Sequence, residues 1–176
     1  MGFFKEELLN VKAFVFDVDG VLSRDISPLN VEGDPVRTAN VKDGFAIRNA
    51  IEFGYPVAII TGGYIKRVRL RYEKLGVNFY YDKARNKVKC LNDFLNKIGI
   101  DAKNVMYMGD DLVDYQVMSV VGIPVCPIDA VPDIKELSKY ISDKKGGEGC
   151  VRDVIEQTLR AQEKWFTKDM LFNNAF

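Results

Sequence analysis

"FVFDVDGVL", residues 14–22, runs an apolar stretch straight into two carboxylates, Asp17 and Asp19, and then a glycine. By itself the stretch permits a strand with a solvated turn, or a reactive site at a strand's end. Its neighbours supply the context. "VKAFVF" (11–16), "PVAIIT" (56–61), "NVMYMG" (104–109) and "GIPVCP" (122–127) are largely apolar on both faces, as strands buried in a parallel sheet are. Between them lie "DGFAIRNAIEF" (43–53), "YIKRVRLRYEKL" (64–75), "NKVKCLNDFLNKI" (86–98) and "DLVDYQVMSVV" (111–121), whose apolar residues recur three or four apart, as on amphipathic helices. In the third, Val88, Leu91, Leu95 and Ile98 make the stripe. Gly54, Gly76, Gly99 and Gly122 follow the helical runs, where C-terminal caps belong. This alternation predicts an α/β fold, a Rossmann-like three-layer sandwich with a mostly parallel sheet between helices. Ligands of such sheets bind beyond the carboxyl ends of the strands, where Asp17 and Asp19 fall.

Two segments break the rhythm. Residues 23–42, "SRDISPLNVEGDPVRTANVK", carry two prolines and a Gly-Asp turn, and predict a β-hairpin insert after strand 1. A lone two-stranded ribbon is marginal, so the insert is expected to pack on another subunit or to cover the site. The tail, residues 160–176, begins helical and holds Trp165, Phe166, Met170, Leu171, Phe172 and Phe176. Either it docks on this subunit or the next, or it is an ordinary closing helix on its own core.

The totals fit one domain over residues 1–176. A formal net charge of zero gives no support for a nucleic-acid or anionic-membrane partner. No apolar run approaches the roughly 20 residues of a membrane span, and the first ten residues do not read as a signal peptide. Three well-separated cysteines, Cys90, Cys126 and Cys150, fit a reducing, cytoplasmic setting. Histidine is absent, which removes imidazole as base, nucleophile or metal ligand. Carboxylates and lysine must then carry the proton and charge work, and a metal site would take oxygen ligands, pointing to Mg2+.

Polar signals gather at the ends of elements: Asp17-Val18-Asp19-Gly20, Thr61-Gly62-Gly63, Lys87 opening a helix, and Gly109-Asp110-Asp111 with Asp114 beyond. Singly, each has a plain reading as a helix cap, a turn or a solvated charge. Together they would meet at one sheet edge. Converging carboxylates repel unless a cation sits among them, and a magnesium ion would draw in a phosphate as well. These demands point to a phosphoryl-transfer site, with catalysis mostly by positioning and charge neutralisation.

In that order the four signals resemble the motifs of the haloacid dehalogenase superfamily of phosphatases. The resemblance implies Asp17 as nucleophile forming an aspartyl-phosphate, and Asp19 as the acid that protonates the leaving oxygen and then activates water. It implies Thr61, Gly62 and Lys87 around the phosphoryl group, with Lys89 the nearest competitor for the lysine. Asp17, the backbone carbonyl of Asp19, and Asp110 would bind Mg2+, with Asp111 and Asp114 supporting them. The space between Thr61 and Lys87 leaves no room for a cap domain. "DVDGVL", "VKDGFAI", "RYEKLGV", "NKVKCL", "MGDDLVD" and "GGEGCVRDVIE" resemble the capless 3-deoxy-D-manno-octulosonate 8-phosphate phosphatases. That family implies a role in lipopolysaccharide precursor synthesis and a homotetramer whose hairpins form a barrel-like core. It also implies a tail able to reach a neighbouring site, and Gly146-Gly147-Glu148-Gly149 with Arg152 near the site's mouth. Many members read Thr-Gly-Arg where this chain has Thr61-Gly62-Gly63. Lys66, Arg67 or Arg71 would then be called on to hold the sugar's carboxylate, Arg67 first. The substrate alternative is a nine-carbon ulosonate 9-phosphate, and the alternative from another class is a receiver-type phosphoacceptor module.

Overall fold

A computed structural model describes residues 4–165. Six strands, β1 (Ala13–Phe16), β2 (Val57–Ile60), β3 (Phe79–Tyr81), β4 (Val105–Met108), β5 (Ile123–Cys126) and β6 (Tyr140–Ile141), form one parallel sheet in the order β3-β2-β1-β4-β5-β6. The four strands legible in the sequence are its buried centre. β3 and β6 are short, and each pairs with a strand on one side only.

Alternation along the strands sends side chains into two cores. Phe14, Phe16, Val57, Ile59, Met106, Met108 and Val125 face one layer. Ala13, Val15, Ala58, Ile60, Val105, Tyr107 and Cys126 face the other. Besides the single turn α1 (Phe4–Glu7), the helices are α2 (Val41–Glu52), α3 (Lys66–Lys74), α4 (Lys87–Ile98), α5 (Tyr115–Met118), α6 (Pro132–Leu137) and α7 (Cys150–Ala161). α2 and α7 cover the first face through Ala46, Ile47, Ala50, Val151, Val154, Ile155 and Leu159. α4, α5 and α6 cover the second through Leu91, Phe94, Val117, Met118 and Ile134. Phe94 is fully buried, so its truncation to alanine would cost about 3–5 kcal/mol.

Local chemistry sets the helix ends. The Asn40 side chain accepts hydrogen bonds from Lys42 N and Asp43 N at the start of α2, and the Asn86 side chain accepts from Lys89 N at the start of α4. α4 stops at Gly99, which is left-handed at φ 65°. Gly122 plays a different part from the cap expected of it. The segment 111–121 is helical only over the 3-10 turn Leu112–Asp114 and α5, and Gly122 instead lets two backbones touch. A Cβ there would stand 1.9 Å from the Lys103 carbonyl oxygen.

The insert is hairpin-shaped but barely a ribbon. A single antiparallel bridge joins Leu29 to Pro35, and Asn30 N donates to Asp34 O across the tip at 2.9 Å. Ile26, Leu29 and Val31 stand in solvent, Val31 at 98% exposure. At the other end of the chain Trp165 is buried edge-on against Phe45 of α2, so the described part of the tail closes on its own core. Phe166, Met170, Leu171, Phe172 and Phe176 lie outside the described residues. Among the described residues no helix is long and apolar enough to cross a membrane.

Candidate active site

β1 runs on to β2 and β3 on one side, and the chain then crosses to β4 on the other, so the sheet reverses direction of growth between β1 and β4. A crevice opens at such a switch point. Asp17 is the first residue past β1, and its N–H still pairs with Met108 O of β4 at 3.1 Å. Asp110 is the second residue past β4. The sheet therefore delivers both acids to one place.

Asp17 is buried, and its Oδ1 accepts from Val18 N at 2.6 Å. Its Oδ2 accepts from Lys87 Nζ at 2.7 Å. The same ammonium donates to Asp114 Oδ1 at 2.7 Å, and the Tyr107 hydroxyl donates to that oxygen at 2.7 Å. Asp114 is fully buried, and its other oxygen takes Asp110 N at 3.4 Å. Carboxylate oxygens of Asp17, Asp110 and Asp114 all lie within 4.8 Å of one another.

Two glycines make the cluster possible. At Gly109 a Cβ would come within 2.5 Å of the Asp114 side chain. At Gly20, left-handed at φ 73°, a Cβ would stand 1.9 Å from Asp110 Oδ2. Behind that turn, Gly146 packs so closely that its Cβ would meet Gly20 O at 1.9 Å. The Gly-Gly-Glu-Gly segment is thus a buttress of the first loop. Arg152 is elsewhere: its guanidinium lies over the Phe45 and Trp165 rings and pairs with Glu156, on the α2–α7 face.

The electrostatics show a shortage of cations. Burial and the neighbouring Asp114 charge push Asp17 well above the ordinary carboxylate range, against the pull of Lys87. Burial, then Asp114 and Asp111, push Asp110 up to about 7. Burial depresses the Lys87 ammonium, but the charges of Asp17 and Asp114 outweigh it and leave the pKa raised. One ammonium cannot neutralise three clustered carboxylates, and a divalent ion relieves the remainder. All the donors are oxygen, in the charge and number that suit magnesium.

Thr61 is the first residue past β2 and is buried; its Oγ1 accepts from Gly63 N at 3.2 Å, and its carbonyl accepts from Ala84 N at 3.0 Å. Thr61, Gly62, Asp17, Asp19, Lys87 and Arg85 border one pocket of about 430 Å3. Lys89 is exposed, so the buried ammonium is that of Lys87. Asp111 is exposed and caps Leu112 N at 2.7 Å. The Asp19 carboxylate stands apart from the three clustered acids and is held by Arg37, with Arg37 Nε donating at 2.8 Å.

Arg67 and Lys66 are exposed on α3 and do not border this pocket. Arg71 lies against Gly44 of α2, where a Cβ would stand 2.9 Å from its Nη2. The cations that do border the pocket besides Lys87 are Arg37 and Arg85, which the sequence motifs do not single out. Arg37 lies in the insert, a stretch without periodicity, and only the marginal stability of a lone ribbon hinted that the insert covers anything.

Comparison with known proteins gives the same reading from another direction. Residues 81–155 match the haloacid dehalogenase-like hydrolase family. The chain is 39% identical over 155 residues to 3-deoxy-D-manno-octulosonate 8-phosphate phosphatase KdsC of Escherichia coli K12, covering 88% of this chain and 82% of that protein. The chain belongs to the haloacid dehalogenase-like hydrolases, in the branch of these phosphatases. The crystal structure of the phosphatase from Yersinia pestis superposes on this hydrolase with a TM-score of 0.87 at 34% identity, over 92% of this chain and 87% of that one. The phosphatase from Moraxella catarrhalis, solved in complex with magnesium ion, phosphate ion and KDO, gives a TM-score of 0.86 at 30% identity, over 96% and 95% of the two chains.

Proposed function

We propose that this hydrolase is a magnesium-dependent phosphatase that converts 3-deoxy-D-manno-octulosonate 8-phosphate to the free sugar acid and inorganic phosphate, within lipopolysaccharide precursor synthesis. The observation that carries the reading is the Asp17–Asp110–Asp114 cluster with Lys87 bridging Asp17 and Asp114, at the β1/β4 switch point beneath a pocket that Asp17 and Lys87 border. The names and cofactor content of its relatives support the substrate.

In this reading an Asp17 oxygen attacks phosphorus, and the bond to the ester oxygen breaks. The electron pair leaves with that oxygen, which takes a proton from Asp19. Asp19, now a carboxylate, removes a proton from water as the water attacks the acyl phosphate. The P–O bond to Asp17 breaks and phosphate leaves. Thr61, the Gly62 backbone and Lys87 hold the phosphoryl oxygens through the transfer, as fixed donors aimed at developing charge. Asp17, Asp110 and the Asp19 backbone carbonyl would hold Mg2+, Asp114 standing close enough to join or to support them, with Asp111 flanking. The ion supplies charge neutralisation on the transferring group.

The reading further takes residues 1–176 as a single hydrolase domain and the assembly as a cytoplasmic homotetramer. Exposed apolar Ile26, Leu29 and Val31 of the insert support contact between copies. A nine-carbon ulosonate 9-phosphate is the second substrate reading, favoured by Gly63, which offers no side chain to the pocket it borders. A receiver-type module fits less well, since its acid pair would precede the phosphoacceptor and its lysine would come last. Steady-state comparison of the two ulosonate phosphates, with an aryl phosphate as control, tests the reading. Preference for the eight-carbon ester in kcat/KM, lost on chelation of magnesium, is expected. Equal use of all three esters would contradict it.

A further inference from the structure

Arg37 grips the Asp19 carboxylate as a fork. Its Nε donates to Oδ1 at 2.8 Å and its Nη2 to Oδ2 at 3.0 Å, while Nη1 donates to the Pro35 carbonyl at 3.1 Å. Paired guanidinium–carboxylate geometry of this kind fixes direction as well as charge. The Arg37 side chain is only 12% exposed although its partner is 49% exposed, which sets it apart from the solvated ion pairs of the surface. Among the described residues, Arg37 supplies every hydrogen bond that the Asp19 carboxylate accepts.

The segment that carries Arg37 is anchored. Thr38 N donates to Ser23 Oγ at 2.9 Å, and Arg24 N donates to Thr38 Oγ1 at 3.0 Å. Asn40 Nδ2 donates to Gly147 O at 3.3 Å. Arg37 is therefore one residue from a stem tied to the end of the loop that begins at Asp17. The other cations have different places. Lys87 is committed to Asp17 and Asp114, Arg85 is exposed, and Arg67 and Arg71 are outside the pocket.

The fork takes one lone pair of each Asp19 oxygen and holds the group as an anion, so Oδ2 is freed to carry a proton toward an ester oxygen when the Nη2 arm lets go. Space exists for one arm. A Cβ at Gly63 would lie 3.1 Å from Arg37 Nη2 and 3.6 Å from Asp19 Oδ2, so the glycine leaves room beside the Nη2 arm. We propose that Arg37 is a positioning residue for the proton-transfer step: it aims Asp19 at the ester oxygen, and its Nη2 arm turns aside toward Gly63 when substrate docks, while Nε keeps the carboxylate in line. The proposal rests on the phosphatase reading above. Oδ2, freed by the Nη2 arm, takes a proton from solvent and passes it to the leaving oxygen, which leaves Asp19 a carboxylate again; Arg37 exchanges none.

The proposal has a kinetic signature that a purely structural role lacks. A sugar alkoxide is a poor leaving group and needs its proton as the P–O bond breaks, whereas an aryl oxide leaves without one. Misaiming Asp19 must therefore slow the first P–O cleavage of alkyl esters and spare that of aryl esters, while the later attack of water, which also uses Asp19, slows for both alike. The experiment measures, with enzyme in excess, the single-turnover rate of leaving-group release for wild type, Arg37→Ala, Arg37→Lys and Asp19→Asn, on a nitrophenyl phosphate and on whichever sugar phosphate the wild type turns over fastest, with saturating magnesium. Circular dichroism and urea unfolding check that each variant is folded. Expected for Arg37→Ala is a fall in the single-turnover release rate of about 100-fold on the sugar phosphate and of less than about 5-fold on the aryl ester, in the range of a lost acid–base contribution. Arg37→Lys keeps the charge but not the fork, and should show the same leaving-group dependence with a smaller loss. Equal losses of release rate on both esters, or no loss on either, would overturn the proposal even where Asp19→Asn shows the expected pattern. Failure of the wild type to hydrolyse either ester would overturn the phosphatase reading and this proposal with it.

Discussion

At the pocket's floor, Asp17 is buried and shares one ammonium, Lys87, with Asp114 buried beneath them; at its rim, Asp19 is half exposed and is gripped by a guanidinium from the insert. Only one residue separates Asp17 from Asp19, yet they are governed by different physics. The floor is held by the sheet: β1 and β4 fix where Asp17 and Asp110 emerge, and burial makes every uncompensated charge costly. Water and salt screen the rim, and a group lost there can be solvated. Changes on the floor should then be felt in both stability and chemistry, and changes at the rim mainly in chemistry or assembly.

The largest effect is expected at Lys87. Lys87→Ala leaves two buried carboxylates without their shared cation and should lower the unfolding free energy by about 3–5 kcal/mol, read by urea unfolding without metal. Loss of the same donor should reduce kcat by roughly 10²–10³-fold. A stability change below about 1 kcal/mol would erase the contrast between floor and rim.

Next comes Gly20. Gly20→Ala forces a side chain into a left-handed turn and into the Asp110 carboxylate. A stability cost of about 1–2 kcal/mol is expected from the turn alone. Calorimetry should also find magnesium bound at least about tenfold more weakly, a loss of about 1.4 kcal/mol. Unchanged magnesium affinity would mean that Asp110 does not hold the ion.

A pH series sharpens the same point. Without metal, burial raises Asp110 from 3.8 to about 7, so the folded state binds a proton that the unfolded state has released. The stability this supplies is complete below about 3.8 and is lost as pH rises through about 7. Magnesium competes with that proton, so its affinity should climb as pH crosses about 7, and the rise in Tm at a fixed magnesium concentration should climb with it. A metal-induced rise in Tm that is flat across that range would contradict the assignment.

Much of the floor was legible in the sequence because its chemistry is concentrated in single residues next to apolar runs. Asp17, Thr61 and Asp110 each follow a strand of four buried residues. An apolar run of that kind reads as a buried strand, and the sheet then brings its end to the others. The rim was not legible. Arg37 is 18 positions from Asp19 along the chain, in a segment whose exposed apolar residues follow no period. The fork depends on a loop path that no local pattern encodes. Sequence put Arg67 first among Lys66, Arg67 and Arg71 as the group to hold the sugar's carboxylate, whereas the structure leaves Arg67 exposed on α3. The edge strand β6 escaped notice for a simpler reason: at two residues it is too short to show alternation.

The smallest effect on the fold is expected at the tip of the insert. Val31 is 98% exposed, so Val31→Asp should change the unfolding free energy of the subunit by no more than about 0.5 kcal/mol. If the insert joins copies of the chain, light scattering should show a smaller assembly. An unchanged assembly mass would remove the insert tip from the contact.

The floor's central claim is that Asp17 becomes covalently phosphorylated among carboxylates that hold one divalent ion. The most direct measurement is peptide mass spectrometry of enzyme quenched in acid during turnover. A phosphoryl group on the peptide containing Asp17, present with magnesium and absent from Asp17→Asn, is the expected result. A phosphoryl group on another residue, or full turnover by Asp17→Asn, would contradict the account.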